Sequence, residues 1–223
     1  MIDTEFQRLL RSIHTSLKDD HFIVSLRQII KSGIVDIPSL IVKLEHIRNN
    51  LNTPENAIDI VVEIKAASQF CDLPNLNSIR FGENPDVKIM VSNETFSIEV
   101  KRFRFRPKDK SDSITLENYG VMAVTYGSPQ EVQLQIEDVL LKKAESYTGK
   151  EPFYIYLWSD SPHQVENSEI KCAARAIKTK VCGILFGVFY KGARCSRNLI
   201  SLESNTVTSK IEEFLKSTFS ICK

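Results

Sequence analysis

Three residues of this chain combine the chemistry of a metal-assisted hydrolytic site: Asp86, Glu99 and Lys101. Carboxylate oxygens are hard ligands of the kind that Mg²⁺ prefers, and an ammonium group can stabilise negative charge on a phosphate. Glu99 and Lys101 are two residues apart, so they point to the same side of the chain if the segment is a β-strand. The spacing therefore predicts two carboxylates and one ammonium group at a strand end, where a divalent cation could be held.

A β-hairpin is the element that must bring these residues together. Apolar and polar residues alternate on both sides of a polar turn formed by residues 92–94. The apolar positions are Val87, Ile89 and Val91 before the turn and Phe96, Ile98 and Val100 after it. Such alternation around a short polar turn is typical of paired antiparallel strands. Pairing would bring Asp86, which opens the first strand, beside Glu99 and Lys101 on the side away from the apolar face.

The order Pro85-Asp86, a hairpin, then Glu99-Val100-Lys101 resembles the signature of the PD-(D/E)XK nuclease superfamily, which has the restriction-endonuclease-like fold. The resemblance implies an α/β fold whose core has the order α-β-β-β-α-β, a mixed sheet flanked by helices. It implies a Mg²⁺ ion, with Mn²⁺ as a possible substitute, bound by Asp86, Glu99 and the Val100 carbonyl. Lys101 would orient the attacking water and stabilise charge on the phosphate. The implied activity is phosphodiester hydrolysis, with DNA as the favoured substrate and internal cleavage as the favoured mode.

Glu63 has two interpretations. It lies in a helix predicted to begin at Pro54, with Thr53 as the N-cap residue. The surrounding run of apolar residues marks a helix that is buried on most sides, and a carboxylate there needs a cation, hydrogen bonds or a metal. In the superfamily, a helix before the first strand often carries an acid that reaches the metal, which implies Glu63 as a further ligand. The alternative is a salt bridge with Lys65 or another base.

The densest basic segment of the chain leaves directly from the proposed site. Its candidate nucleic-acid contacts are Arg102, Arg104, Arg106 and Lys108. Basic side chains beside the acids would offset phosphate charge and place a nucleic-acid backbone across them. In the alternative interpretation, Phe103 and Phe105 pack against the protein and the arginines face solvent at a strand end.

The elements predicted after the hairpin follow the order of the resembled fold. Ser128 and Pro129 begin a helix that keeps its apolar period to about Tyr147, and either Lys142 or Lys143 of this helix could lie near the site. The other predicted elements are a loop over 110–118 on the substrate side, strands over 121–125, 153–158, 182–190 and 199–203, and helices over 162–180 and 207–219. Before the nuclease-like core of residues 53–223, with its C-terminal extension, residues 1–52 are predicted to form a helical N-terminal region.

Composition narrows the class of protein. The formal net charge of +1 means that any nucleic-acid binding must come from local patches. The five cysteines include no CxxC pair, which is unlike a disulfide framework or a zinc cage and fits a reducing cytoplasm. We find no signal peptide and no apolar run long enough for a membrane span, so a cytoplasmic location is predicted. Because cutting both strands of a duplex usually needs two sites, a homodimer is a reasonable expectation.

Two other functions fit the same residues. The chain could be a non-catalytic nucleic-acid-binding or assembly module on the same fold, with a metal site that is not used. It could also be an α/β interaction protein in which Asp86, Glu99 and Lys101 form a surface ion-pair cluster.

Overall fold

A computed structural model describes residues 4–17, 19–103, 129–159, 167–176, 181–190, 193–202 and 207–221. Three features predicted from the sequence lie outside these residues: the loop over 110–118, the strand over 121–125, and the basic residues Arg104, Arg106 and Lys108. The structure is of the α/β class, with helices on both faces of a mixed sheet.

Four helices precede the sheet, as the apolar periodicity predicts. They are α1 (Thr4–Leu17), α2 (Asp20–Ser32), α3 (Ile37–Asn49) and α4 (Pro54–Ser68). Asp19 and Asp36 cap α2 and α3 by accepting hydrogen bonds from backbone N–H groups of their first turns. Thr53 takes the N-cap position of α4, but its hydroxyl donates to the carbonyl of Asn50 and makes no capping bond.

The described residues form one sheet of seven strands whose spatial order follows the chain. The strands are β1 (Leu76–Phe81), β2 (Val87–Val91), β3 (Glu94–Phe103), β4 (Phe153–Ser159), β5 (Val181–Tyr190), β6 (Ala193–Ser201) and β7 (Ser220–Ile221). The helices between them are α5 (Pro129–Ser146), α6 (Asn167–Ala176) and α7 (Ser209–Thr218). The first three strands are antiparallel neighbours, β3, β4 and β5 run parallel, β6 is antiparallel to β5, and β7 is parallel to β6. Strand β6 begins at Ala193, earlier than the predicted start at residue 199.

The predicted hairpin is confirmed. Val87 pairs with Ile98 at one end of the β2–β3 ladder, and Val91 pairs with Glu94 at the other. Ser92 and Asn93, the two residues of the turn, have φ values of 49° and 67°. Positive φ at both central residues is what a type I′ turn requires, and this turn matches the right-handed twist of the two strands.

Both faces of β3 are buried, which corrects one expectation. Phe96, Ile98 and Val100 share one apolar face, as predicted, and this face lies in a core that the sheet shares with α1–α4 and α7. The opposite face was expected to be polar, but α5 and α6 cover it with a second core. Ser97 and Glu99 are therefore buried as well. The predicted domain boundary near residue 52 falls between α3 and α4, and residues on both sides of it belong to the same core.

Glu151 lies in the connection between α5 and β4 and links it to β2 through side-chain hydrogen bonds. Its carboxylate accepts hydrogen bonds from Lys88 at 3.0 Å and from the Tyr147 hydroxyl at 2.9 Å. Its own backbone N–H, Lys88 and Tyr147 lower the pKa of Glu151 from 4.5 to about 2. A carboxyl group with a lowered folded-state pKa contributes stability above pH 4.5, and this contribution is lost as the pH falls through about 2.

Glu151→Gln should therefore lower the free energy of unfolding at pH 7 by about 1 kcal/mol, since a third of the side chain faces solvent and screening weakens the effect. Chemical denaturation of both proteins at pH 7 and pH 3 would measure the difference. The difference should be smaller at pH 3 than at pH 7, and a difference that stays constant would mean that the charge of Glu151 contributes nothing.

Candidate functional site

The site lies where β3 extends beyond its hairpin partner. The β2–β3 ladder ends at the pair of Val87 and Ile98, so the N–H of Val100 has no partner strand on that side. The carboxylate of Asp86, immediately before β2, accepts this N–H with Oδ2 at 2.8 Å. Asp86 is 7% exposed, and its position is fixed by the backbone of the strand that carries Glu99.

Glu99 carries an unsatisfied oxygen in a buried place. Its side chain is 5% exposed, and Oε1 accepts a hydrogen bond from the ammonium group of Lys143 in α5. Oε2 is buried and has no hydrogen-bond partner among the described residues. Leaving a buried carboxylate oxygen unpaired is costly, and such atoms in folded proteins often mark the place of a ligand or ion.

Glu63 joins the same cluster from α4. Lys43 of α3 donates a hydrogen bond to Oε2 of Glu63, and its Nζ lies 3.9 Å from Oδ1 of Asp86. Glu63 is therefore paired with a base, as one of the two interpretations predicted, and it lies beside Asp86. The base is Lys43 and not Lys65, which pairs instead with Asp19 at 2.6 Å.

The five residues Lys43, Glu63, Asp86, Glu99 and Lys143 are called the acid cluster below. Burial raises the pKa of Asp86, and the charges of Glu63 and Glu99 raise it further, against the opposing effect of Lys43 and the Val100 N–H. Burial also raises the pKa of Glu63, although Lys43 lowers it. Burial lowers the pKa of Lys143, but the hydrogen bond and charge of Glu99 outweigh it, so this pKa is raised. Desolvation and mutual repulsion thus both disfavour the ionised forms of Asp86 and Glu63.

Lys101 lies on the same side of β3 as Glu99 and is partly exposed. Lys101 is two residues from Glu99 on the same face of the strand, and it is more exposed to solvent than Glu99. Phe103 is buried in the second core, as the packing interpretation of the basic segment predicts.

Arg102 does not present its guanidinium to solvent. Its side chain is 7% exposed, Nε donates to Asp59 at 2.9 Å, and Nη2 donates to the carboxylate of Glu55. Both acids belong to α4, so Arg102 ties β3 to the helix that carries Glu63. The predicted nucleic-acid contact of Arg102 would require these ion pairs to break.

Arg102→Met should therefore destabilise the protein by about 2 kcal/mol, because it removes the charge-assisted hydrogen bonds that Arg102 donates to Glu55 and Asp59. We expect the affinity for a short DNA duplex, measured by fluorescence anisotropy in EDTA, to change less than twofold. A large fall in affinity with unchanged thermal stability would show instead that Arg102 contacts nucleic acid.

Sequence reasoning missed Lys43 entirely and left Lys143 open beside Lys142. Both residues do carry a signal. In α3 the buried residues are Leu40, Lys43, Leu44 and Ile47, so Lys43 takes a position in the apolar stripe. Lys143 is more exposed, but it lies beside the apolar stripe of Ile136, Leu140, Ala144 and Tyr147, which are buried in the second core. A lysine at a core position of an amphipathic helix needs a buried acid as its partner.

No group of three or more His, Cys, Asp or Glu side chains in the described ranges is arranged around a common metal position. Within the acid cluster, ammonium groups bind Glu63 and Glu99 directly. The chemistry of the donors nevertheless suits a hard divalent cation, because Glu63, Asp86 and Glu99 offer carboxylate oxygens, including the unpartnered Oε2 of Glu99.

Comparisons of the chain with family models, with curated proteins and with solved structures found no match. Among the helices that the structure describes, none is long and apolar enough to cross a membrane.

Proposed function

We propose that this protein is a metal-dependent nuclease that hydrolyses phosphodiester bonds, with DNA as the favoured substrate and internal cleavage as the favoured mode. The observation that carries the proposal is the meeting of Glu63, Asp86 and Glu99 in one buried cluster, with a Glu99 oxygen that has no hydrogen-bond partner in the described structure. The element order α4-β1-β2-β3-α5-β4 supports it, since the restriction-endonuclease-like core expected from the sequence has the order α-β-β-β-α-β.

The residues have distinct roles in this proposal. Asp86, Glu99 and the Val100 carbonyl would hold Mg²⁺ or Mn²⁺, with Glu63 as a further ligand. The bound cation would polarise the scissile phosphate and lower the pKa of a water molecule. Lys101, which shares a face of β3 with Glu99 and is more exposed, would place its ammonium group against the phosphate and stabilise the charge that develops there. Hydrolysis adds one water across one P–O bond and leaves a phosphate monoester and an alcohol.

A test of the proposal is incubation of the purified protein with supercoiled plasmid and with single-stranded DNA, in Mg²⁺, in Mn²⁺ and in EDTA. The decisive variant is Asp86→Asn, which keeps an oxygen to accept the Val100 N–H but removes the charge. Asp138→Asn is the matched control, because Asp138 is an exposed acid of α5 that pairs with Lys142. We expect metal-dependent cutting by the wild type and the control and none by Asp86→Asn. An Asp86→Asn variant with full activity would refute the assignment.

A second candidate function is favoured by Lys43 and Lys143. Since these lysines neutralise carboxylates of the cluster, the chain could be a non-catalytic nucleic-acid-binding or assembly module on the same fold. In that case DNA would be shifted in a gel but not cut, and calorimetry would detect no uptake of Mg²⁺ or Mn²⁺.

The products of the plasmid assay also test the expected homodimer. Linear plasmid formed without a nicked intermediate would indicate two sites acting together.

A further inference from the structure

The two lysines of the acid cluster are held very differently. The side chain of Lys43 is 7% exposed and lies between Glu63 and Asp86. The side chain of Lys143 is 32% exposed, belongs to the last turn of α5, and contacts the cluster through Glu99. Lys143 can therefore reach solvent by rotating its own side chain, whereas Lys43 is enclosed by its acids and by the apolar residues of α3.

Glu99 is the residue where this difference matters. Its Oε1 is bound by Lys143 and its Oε2 is buried without a partner among the described residues, so a cation that uses this carboxylate must come close to the ammonium group. Two positive groups on one buried carboxylate repel each other strongly, because little solvent screens them. A divalent cation and Lys143 therefore compete for Glu99.

The net charge of the cluster also favours the release of Lys143 when a divalent cation binds. Three ionised carboxylates with Lys43 and a divalent cation sum to a neutral cluster. Keeping Lys143 as well would leave a net positive charge in a buried place, which is costly.

We propose that Lys143 is a displaceable counter-ion, whose ammonium group holds Glu99 in the metal-free protein and moves out to solvent when a divalent cation binds. Lys43 stays in place in both states and keeps Glu63 oriented. This inference rests on the proposed function for the identity of the cation, but its test does not depend on cleavage.

The first experiment uses the unmodified protein. Surface lysines are acetylated briefly with and without Mg²⁺, and the modification at each lysine is measured by mass spectrometry. Labelling of Lys143 should rise several-fold in Mg²⁺. Lys142 is the internal control, because it is already 73% exposed and pairs with Asp138, so its labelling should stay constant. No metal-dependent change at Lys143 would overturn the inference.

The second experiment is calorimetric titration of Mn²⁺ into the wild type, Lys143→Gln and Lys143→Arg. Removing the repulsion between the ammonium group and the cation should tighten binding about tenfold in Lys143→Gln. Lys143→Arg keeps the charge and should bind no more tightly than the wild type. Equal affinity of the wild type and Lys143→Gln would overturn the inference and leave the nuclease proposal standing.

Binding by Lys143→Gln alone would have the opposite meaning: it would support the counter-ion role and count against a working nuclease in the natural sequence. Absence of binding in all three proteins would overturn both proposals. If Lys143→Gln does not fold, the labelling experiment on the wild type still gives the answer.

Discussion

Lys43→Met is expected to lower the free energy of unfolding by about 3–5 kcal/mol at pH 7, a larger loss than that expected for Arg102→Met or Glu151→Gln. Methionine has nearly the same length and is apolar, so the packing of α3 against its neighbours is preserved. What is lost is the ammonium group that offsets the buried carboxylates of Glu63 and Asp86. Urea denaturation followed by circular dichroism would measure the change.

The pH dependence of this loss separates charge from packing. Lys43 lowers the pKa of both Glu63 and Asp86, whose folded-state pKa values are nevertheless raised by burial. Removing Lys43 should raise both pKa values further. An acid whose folded-state pKa lies above its unfolded value contributes stability that is present below the unfolded pKa and is lost as the pH rises through the folded pKa. The destabilisation should therefore be larger at pH 8 than at pH 5, whereas a packing defect would be the same at both.

Two further variants complete the test. Lys43→Met combined with Glu63→Leu should recover most of the lost stability, since an apolar pair of similar volume can replace a buried ion pair. Lys65→Met is the matched control: Lys65 lies on α4 and pairs with the more exposed Asp19, so about 1 kcal/mol is expected. A loss below about 1 kcal/mol in Lys43→Met itself would mean that Lys43 does not pair with these acids in solution.

The hairpin could be predicted from the sequence, whereas the role of Lys43 could not. The hairpin depends on neighbours along the chain: alternation of apolar residues up to Val100 and a turn that tolerates positive φ. The order of helices and strands around Glu63, Asp86 and Glu99 follows from equally local patterns. These features set the fold class and placed the three acids on the correct elements.

The partners of the acids could not be predicted in this way, because they depend on tertiary contacts. Lys43 and Glu63 are 20 residues apart, and Lys143 and Glu99 are 44 apart. The alternation of β3 indicated a polar face, but the packing of α5 on that face buried Glu99. A lysine inside an apolar helical stripe was the available signal, and it predicts a buried acid without naming which one.

Glu99→Gln should reduce metal-dependent cleavage at least about 100-fold, because it removes the charge of a carboxylate that would hold the cation at the scissile phosphate. The substitution is nearly isosteric, so β3 should keep its place. Stability in EDTA should fall little or even rise, since the change relieves the repulsion that Glu99 exerts on Asp86 and Glu63. The cleavage rate and the thermal midpoint should be measured on the same preparation. We expect the rate to fall strongly without a matching fall in the midpoint.

The control for Glu99→Gln lies on the same strand. Glu94 is at the other end of β3, where it pairs with Lys210 at 3.4 Å and accepts a hydrogen bond from Thr208 of the α7 N-cap. Glu94→Gln should leave cleavage unchanged and affect only the docking of α7. If Glu99→Gln retained activity while losing stability to the same extent as Glu94→Gln, Glu99 would be a structural ion-pair partner of Lys143 and the nuclease proposal would fail. Loss of cleavage in Glu99→Gln alone would assign the acid cluster to the chemistry, because the two variants remove the same charge from the same strand.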